Sequence, residues 1–433
     1  MLRLVGERER GGRADLEASE MIIRGAMHQV GGRVLEGVLN ADSAGTRGER
    51  VTCSKGHPAE LVDYRIKDVT TVLGPIKLRR AYYHCACCRE GVIPRDGEMD
   101  IDGTGFSPGV RRLMGRVGGK EPFDEGRRDL GELAGIVVKT KQVERVSEGI
   151  GHQVEAVAMT QRQAALSGKL IGFESPSKLY IAIDGTGVPV IPRETEGRPG
   201  KDQTGRAKTR EAKLGCVFTQ TSLDAEGRPV RDPGSTTYVG AIETAEEFGR
   251  RIYAEAVRRG VTRAEQTIVL GDGAPWIWNI ADLHFYGAIR IVDLYHAREH
   301  LTALSKAIYG PVAPQARQWA EAAIKQLDAG DVEGVLARMA RLRPTHDVGK
   351  KEIQKAANYF RTNQERMRYA RFKSLGLFVG SGVVEAGCKT IIGRRLKQSG
   401  MRWTIRGANS IIALRCCELS GQWETFWENR ATA

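Results

Sequence analysis

The sequence predicts a multidomain α/β protein: a strand–helix core interrupted by a helical block, preceded by a small β module and a helical region. Three observations carry this. Apolar runs LYIAIDGTGVPV, LGCVFTQTSLD, TIVLGDGAPW and AIRIVDLYH have the length and branched content of buried strands, and TTYVGAIE adds a further short one. Residues 297–375 lose that pattern and become a succession of helical runs, from AREHLTALSKAIYG to KEIQKAANYFRTNQERMRYARF. Near the start, β-type runs such as VTTVLGPIKLRRAYYHC lie among clustered cysteines.

Taken in order, residues 1–50 form a helical segment and 51–105 the Cys-bearing β module. Residues 106–165 are helical, in the runs SPGVRRLMGRVGG, FDEGRRDLGELAG and KTKQVERVSEGIG, with glycines at the helix ends. The last two make a helix-turn-helix pattern: one helix stops at Gly135, a turn IVV follows, and a polar helix begins near Thr140. Lys139, Lys141 and Arg145 would then face DNA. An ordinary helical hairpin gives the same pattern. Residues 166–300 hold the first part of the core, with strand LYIAIDGTGVPV ending at Asp-Gly, a polar Gly-rich stretch over 193–211 and an amphipathic helix from Thr244 to Arg259. Residues 301–375 are the helical insertion, and 376–433 return to the core and end on the apolar helix NSIIALRCCELSG.

The net charge of +13 and pI near 9.4 favour a polyanionic partner, above all nucleic acid. No stretch has the apolar length of a membrane span, and the polar start MLRLVGERERGGRADLEASE argues against an export signal. The eight cysteines are not spaced as a disulfide scaffold and are expected to be reduced thiols or metal ligands. Cys53-x3-His57 and Cys85-x2-Cys88 flank β-type runs as a zinc ribbon's ligands do, with Cys87 able to replace a neighbour.

Three carboxylates define the candidate active site. Asp184 and Asp272 each follow an apolar strand and precede Gly, where α/β folds face their ligands. Each Asp-Gly is equally a turn signal. Glu385 lies in GSGVVEAGCKT, whose Gly382 and Gly387 have the spacing of a phosphate-binding loop but whose Cys388 occupies the lysine position, so Glu385 on the first turns of a helix is the residue of interest. Three converging carboxylates repel one another unless divalent cations neutralise them, and two such ions suit phosphoryl transfer. Lys389, Arg394, Arg395, Lys397, Arg402, Trp403 and Arg406 follow Glu385. Before it, Arg361, Arg366, Arg368, Arg371 and Lys373 lie among Tyr359, Phe360, Tyr369 and Phe372, a mixture suited to phosphates and bases. A rival reading takes His296-x2-Glu299-His300 as an inverted zinc-peptidase motif, with Glu352 or Glu365 as third ligand.

The stretches IAIDGTGVPV, TREAKLGCVFTQT, RDPGSTTYVGAIETAEEFGRRIYAEA, VLGDGAPWIWN, IVDLYHAREHL, FVGSGVVEAGCKTIIGRRLKQSGMRWT and ANSIIALRCC together resemble bacterial insertion-sequence transposases of the ISKra type, in the Mutator-like DDE group. The resemblance implies an RNase H-like mixed sheet with a helical insertion before the final Glu. It implies Asp184, Asp272 and Glu385 as catalytic ligands of two Mg2+ or Mn2+ ions. Asp293 and His296 match the group's Asp-x2-His signature, with His296 aiding phosphate positioning or proton transfer and Asp293 orienting it. It further implies binding of transposon-end and target DNA, a homodimer or higher assembly on DNA, one structural Zn2+ in the ribbon, and a cytoplasmic, nucleoid-associated location. The ribbon departs from the pattern: Gly56 stands where a Cys-x2-Cys pair would place its second thiol.

Overall fold

The computed structural model describes residues 9–10, 13–42, 44–200, 207–344 and 347–430. The polar stretch 193–211 therefore includes residues, 201–206, outside the described set. The chain divides into two compact units, Met1–Ile150 with Glu424–Ala433, and Gly151–Trp423.

The first unit opens with helix α1, Leu16–Asn40, capped by the Asp15 side chain, which accepts from the Ala18 N–H. Four antiparallel strands follow in sheet order: β1 (Arg50–Thr52), β2 (Pro58–Thr71), β3 (Gly74–Cys85) and β4 (Glu90–Val92). Leu35 and Leu39 of α1 pack on Ile76 and Leu78 of β3. Helices α2 (Pro108–Lys120) and α3 (Phe123–Ala134) precede α4, Thr140–Leu166. Gly135, with φ of 67°, ends α3 in the left-handed conformation that a side chain would strain. Val110, Met114, Leu130, Ile136, Val138 and Val143 form the core of these helices.

In the second unit a five-stranded sheet is built from β5 (Lys178–Pro189), β6 (Thr209–Gln220), β7 (Thr237–Ala241), β8 (Gln266–Gly271) and β9 (Ile289–Val292). Its spatial order is β7-β6-β5-β8-β9. The first three strands are antiparallel neighbours, and β8 and β9 run parallel to β5. Helix α5 (Ala245–Arg258) joins β7 to β8, and α6 (Pro275–His284) joins β8 to β9. The later half of α4 is held to this unit by buried Arg251, which donates to both Glu155 and Glu243.

After β9 the chain enters helices α7 (Leu294–Tyr309), α8 (Pro314–Asp328), α9 (Val332–Ala340), α10 (Asp347–Asn363) and α11 (Tyr369–Ser374). It returns to the sheet through residues 377–381. Phe378 packs edge-on to Tyr180, which stacks on Phe218 at 4.8 Å between ring centroids. Helix α12 (Gly382–Gly387) then runs through a π-helical turn, Cys388–Gly393, into Arg394–Leu396. Helix α13, Ile405–Leu419, lies against β7 and is buried over most of its length.

One expectation needs correction. The strand carrying Asp184 does not end at Asp-Gly: β5 continues to Pro189, paired residue for residue with β6. The second Asp-Gly is the turn: Gly273 has φ of 99°, and the Asp272 side chain accepts from the Ala274 N–H at 2.8 Å.

Candidate active site and metal centre

Strand register brings the carboxylates together. Gln266 to Leu270 of β8 pair with Lys178 to Ala182 of β5, a constant offset of 88 residues. Asp184 and Asp272 each stand two residues past the last pair, Ala182 with Leu270, so both lie at the same end of these neighbouring strands. Likewise Gly271 pairs with Val292, so Asp272 and Asp293 follow on neighbouring strands at one level. The three aspartates thus gather at one end of β5, β8 and β9, Asp184 within its strand and the other two just past theirs.

Glu385 reaches this end from outside the sheet. The buried Asp293 carboxylate accepts from the His296 N–H at 2.8 Å, capping α7, and from the Ser381 N–H, immediately before α12. The Leu294 N–H donates to the Val379 carbonyl at 2.9 Å. These bonds fix where α12 begins, and Glu385 is four residues past Ser381. Gly387 lets the helix approach β6 and β7, since a Cβ there would stand 2.8 Å from the Tyr238 ring and 3.0 Å from Leu214.

The electrostatics report the convergence. Burial first, then the charges of Asp272 and Glu385, raise the Asp184 carboxyl above its ordinary value. The Gly185 N–H and the Cys388 thiol donate to it and pull the other way. Cys388, the residue that spoils the phosphate-loop pattern, is therefore an Asp184 partner. Burial and that carboxylate push its thiol well above the ordinary range.

Asp293 does not hold the His296 ring; it binds the backbone of that residue. The ring is half-exposed, with Nδ1 3.7 Å from Glu299. His300 stacks on Tyr359 at 4.0 Å, and burial first, with His296 and Lys355 next, lowers its basicity. Tyr359 donates to the Asp272 carbonyl at 2.9 Å, and its ring covers Gly273, where a Cβ would lie 2.6 Å away. Sequence reasoning singled out Tyr359 only as one aromatic among arginines and Cys388 only as an oddity in a glycine-rich stretch, and it missed Ser381. For the peptidase reading, His296, Glu299 and His300 do not join a metal-sized cluster among the described residues, and Glu365 is paired with Arg368.

The basic candidates separate into two groups. Lys389 is exposed, 3.9 Å from Glu385. Lys397 donates to Thr186, two residues past Asp184, and Arg394, Arg402 and Arg406 are exposed. Arg395 and Trp403 are buried, the guanidinium 4.9 Å from the indole ring, and Trp403 Nε1 donates to the Leu396 carbonyl. Neither presents a surface to DNA, contrary to the sequence expectation. Arg395 continues the buried i+3/i+4 rhythm of Val384, Gly387, Cys388, Ile391 and Ile392, and Trp403, beyond the helix end, is bridged to Val190 just past the end of β5. Phe360, Tyr369 and Phe372 are also buried, which removes them as base-stacking surfaces. Lys139, Lys141 and Arg145 are exposed, with Lys141 paired to Glu144 at 2.6 Å.

In the first unit Cys53, His57, Cys85 and Cys88 place their ligand atoms within 4.8 Å of one another. Cys53 and Cys88 sulfurs are 3.8 Å apart, the edge expected of a tetrahedron with Zn–S bonds of about 2.3 Å. His57 Nδ1 lies 3.1 Å from the Cys88 sulfur. The turn Cys53–His57 closes through Gly56, whose φ of 84° suits glycine, and the Gly56 N–H donates to the Cys53 carbonyl at 3.0 Å. Against burial, the backbone N–H groups of Lys55 and His57 and the other thiols bring Cys53 down to about 7. Burial, with Cys53 and Cys85 nearby, pushes Cys88 up to about 11. Cys87 is exposed and outside the cluster. This Cys3His arrangement can hold a zinc ion.

Residues 245–430 match the model of an uncharacterised protein family, UPF0236. That span covers α5 to the final helix, including Asp272, Asp293 and Glu385 but not Asp184. No curated protein matches the chain. Among solved structures, the Drosophila P element transposase strand transfer complex aligns over 77% of this chain and 84% of its own, at 9% identity and a TM-score of 0.25. At that score the likeness lends no weight to either fold or activity. Among the described residues, no helix is long and apolar enough to cross a membrane.

Proposed function

We propose that the protein is a DNA transposase of the DDE type that cuts the ends of an insertion sequence and joins them to target DNA. The observation that carries this is the approach of Asp184, Asp272 and Glu385 from three separated parts of the chain, with the Asp184 carboxyl raised first by burial and then by the other two charges. The sheet order, with three antiparallel strands and two parallel ones beside the first, supports an RNase H-like core. The sequence resemblance to ISKra-type elements supports the same reading.

The carboxylates suit a pair of Mg2+ or Mn2+ ions. They repel one another without a counter-charge. Asp184, Asp272 and Glu385 would hold the ions between them. The ions, when bound, would supply activation of the attacking oxygen and stabilisation of the leaving one. The chain's own residues hold the geometry. Asp293 fixes α12, Tyr359 braces the Asp272 turn, and Cys388 orients Asp184. Lys397 and Lys389 offer positive charge for the DNA backbone beside the site. In the first step water attacks the end phosphodiester, and the P–O3′ bond breaks to free a 3′-OH. That hydroxyl then attacks a target phosphodiester and displaces its 3′ oxygen, with no protein–DNA bond formed. His296 is half-exposed beside these aspartates and can assist proton transfer.

Zinc at Cys53, His57, Cys85 and Cys88 would brace the β module, and the helices carrying Lys139, Lys141 and Arg145 would bind the terminal repeats. Acting on two ends calls for at least two copies. The test is incubation with Mg2+ and labelled DNA spanning the element's ends, beside Asp272→Asn. Nicking and joining by wild type alone supports the proposal. Binding without cleavage would instead mark a catalytically idle DNA-binding protein, and nicking without joining a simple nuclease.

A further inference from the structure

Helix α1 carries an apolar stripe that no other described residue buries. Leu16, Ile23, Met27, Val30, Val34 and Val38 are each between 52% and 71% exposed. At 100° per residue the six fall within an arc of about 80°. The face that packs on the β module is a different one: Leu35 and Leu39 lie roughly 120° round the axis from the stripe's centre. The helix therefore has two apolar faces, and the described residues of its own unit cover one.

We propose that this stripe is a self-association surface, pairing with the same helix of a second copy of the chain. The spacing from Ile23 to Val34 is four, three, four, the interval of a coiled-coil seam. The exposed side chains amount to roughly 600 Å2 on each copy, the top of the range for a patch on a monomer. A pair would bury about 1,200 Å2, which reaches the size of specific interfaces. Glu20 is the one charged residue in the arc. A parallel pair would bring the two Glu20 side chains together, whereas an antiparallel pair centred on Met27 separates them. The geometry thus points to an antiparallel two-fold contact with Met27 facing its counterpart.

The surface is independent of the carboxylate site, and its test needs no DNA. Light scattering at about 50 µM protein is expected to give the mass of two chains. The double variant Met27→Glu, Val34→Glu should give the mass of one chain, with wild-type far-UV circular dichroism because both side chains are already exposed. Gln29→Glu, on another face of the same helix, should remain a dimer. Met27→Cys treated with a short bismaleimide should yield a cross-linked dimer well above the wild-type level. A wild type of single-chain mass, a double variant that stays dimeric, or no gain in cross-linking would each overturn the proposal.

Discussion

Removing the Asp293 carboxylate should loosen the second unit by an amount the structure allows us to work out. Its two oxygens accept from the His296 and Ser381 N–H groups in a site shielded from water. An N-cap bond contributes about 1–2 kcal/mol. A buried bond between a charged acceptor and a backbone N–H contributes about 1.5–3 kcal/mol. Alanine forfeits both and leaves two N–H groups without acceptors, but it also relieves the desolvation of a buried charge. A net loss of about 3 kcal/mol follows. With a urea slope of about 3 kcal/mol per molar for a unit of this size, the midpoint for Asp293→Ala should fall by about 1 M. Asp293→Asn keeps one acceptor oxygen and turns an amide toward the second N–H, so its shift should be intermediate. Urea unfolding followed by circular dichroism reads both. A midpoint for Asp293→Ala within about 0.2 M of wild type would refute the assignment of Asp293 as the tie between β9 and α12.

Three other outcomes are expected. Asp184 is raised in the fold, so its ionised form at neutral pH costs stability that is absent below the ordinary carboxylate range and grows as pH rises through it. Asp184→Asn should therefore melt above wild type in EDTA at pH 7, and should lose the rise in melting temperature that Mg2+ gives wild type; a lower melting temperature in EDTA would contradict the repulsion. Purified protein should contain one zinc per chain by atomic emission, and Cys88→Ser should lose it without altering Cys216, Cys416 or Cys417, which are buried elsewhere. Tyr359→Phe should cost about 1 kcal/mol in urea unfolding through the lost bond to the Asp272 carbonyl.

Local chemistry was legible in the sequence wherever a signal was itself local. Gly135 ended a helix, Thr244 capped one, and the apolar runs became strands. The metal-ligand spacing also led to a real cluster, although its irregular first pair is intelligible only through the Gly56 turn. The meeting of Asp184 and Asp272 was expected from their places after apolar strands and from the resemblance, but its register was not legible, because an 88-residue interval means nothing until β5 and β8 pair. Asp184 looked like a turn residue because Gly185 follows it, yet pairing with β6 keeps the backbone extended. The basic segment after Glu385 was misread because charge was taken as a sign of exposure: Arg395 lies on the buried i+3/i+4 face that runs from Val384 to Leu396, and Trp403 is interior through its bridge to Val190. The aromatics of 359–372 were misread because their alternation with arginine concealed which face is buried.

The Tyr359 contact bears on how this chain can be cut and recombined. The helical block between β9 and α12 has the outline of a replaceable module, since its two ends sit beside one another on the sheet. Yet Tyr359 covers Gly273, and Tyr369 donates to the Val292 carbonyl at 3.0 Å. A shortened linker, or a block transplanted from a relative, would strip the lid from the Asp272 turn unless it supplied an aromatic hydroxyl at the same place. The helices are a keystone, and any chimera has to be joined outside them.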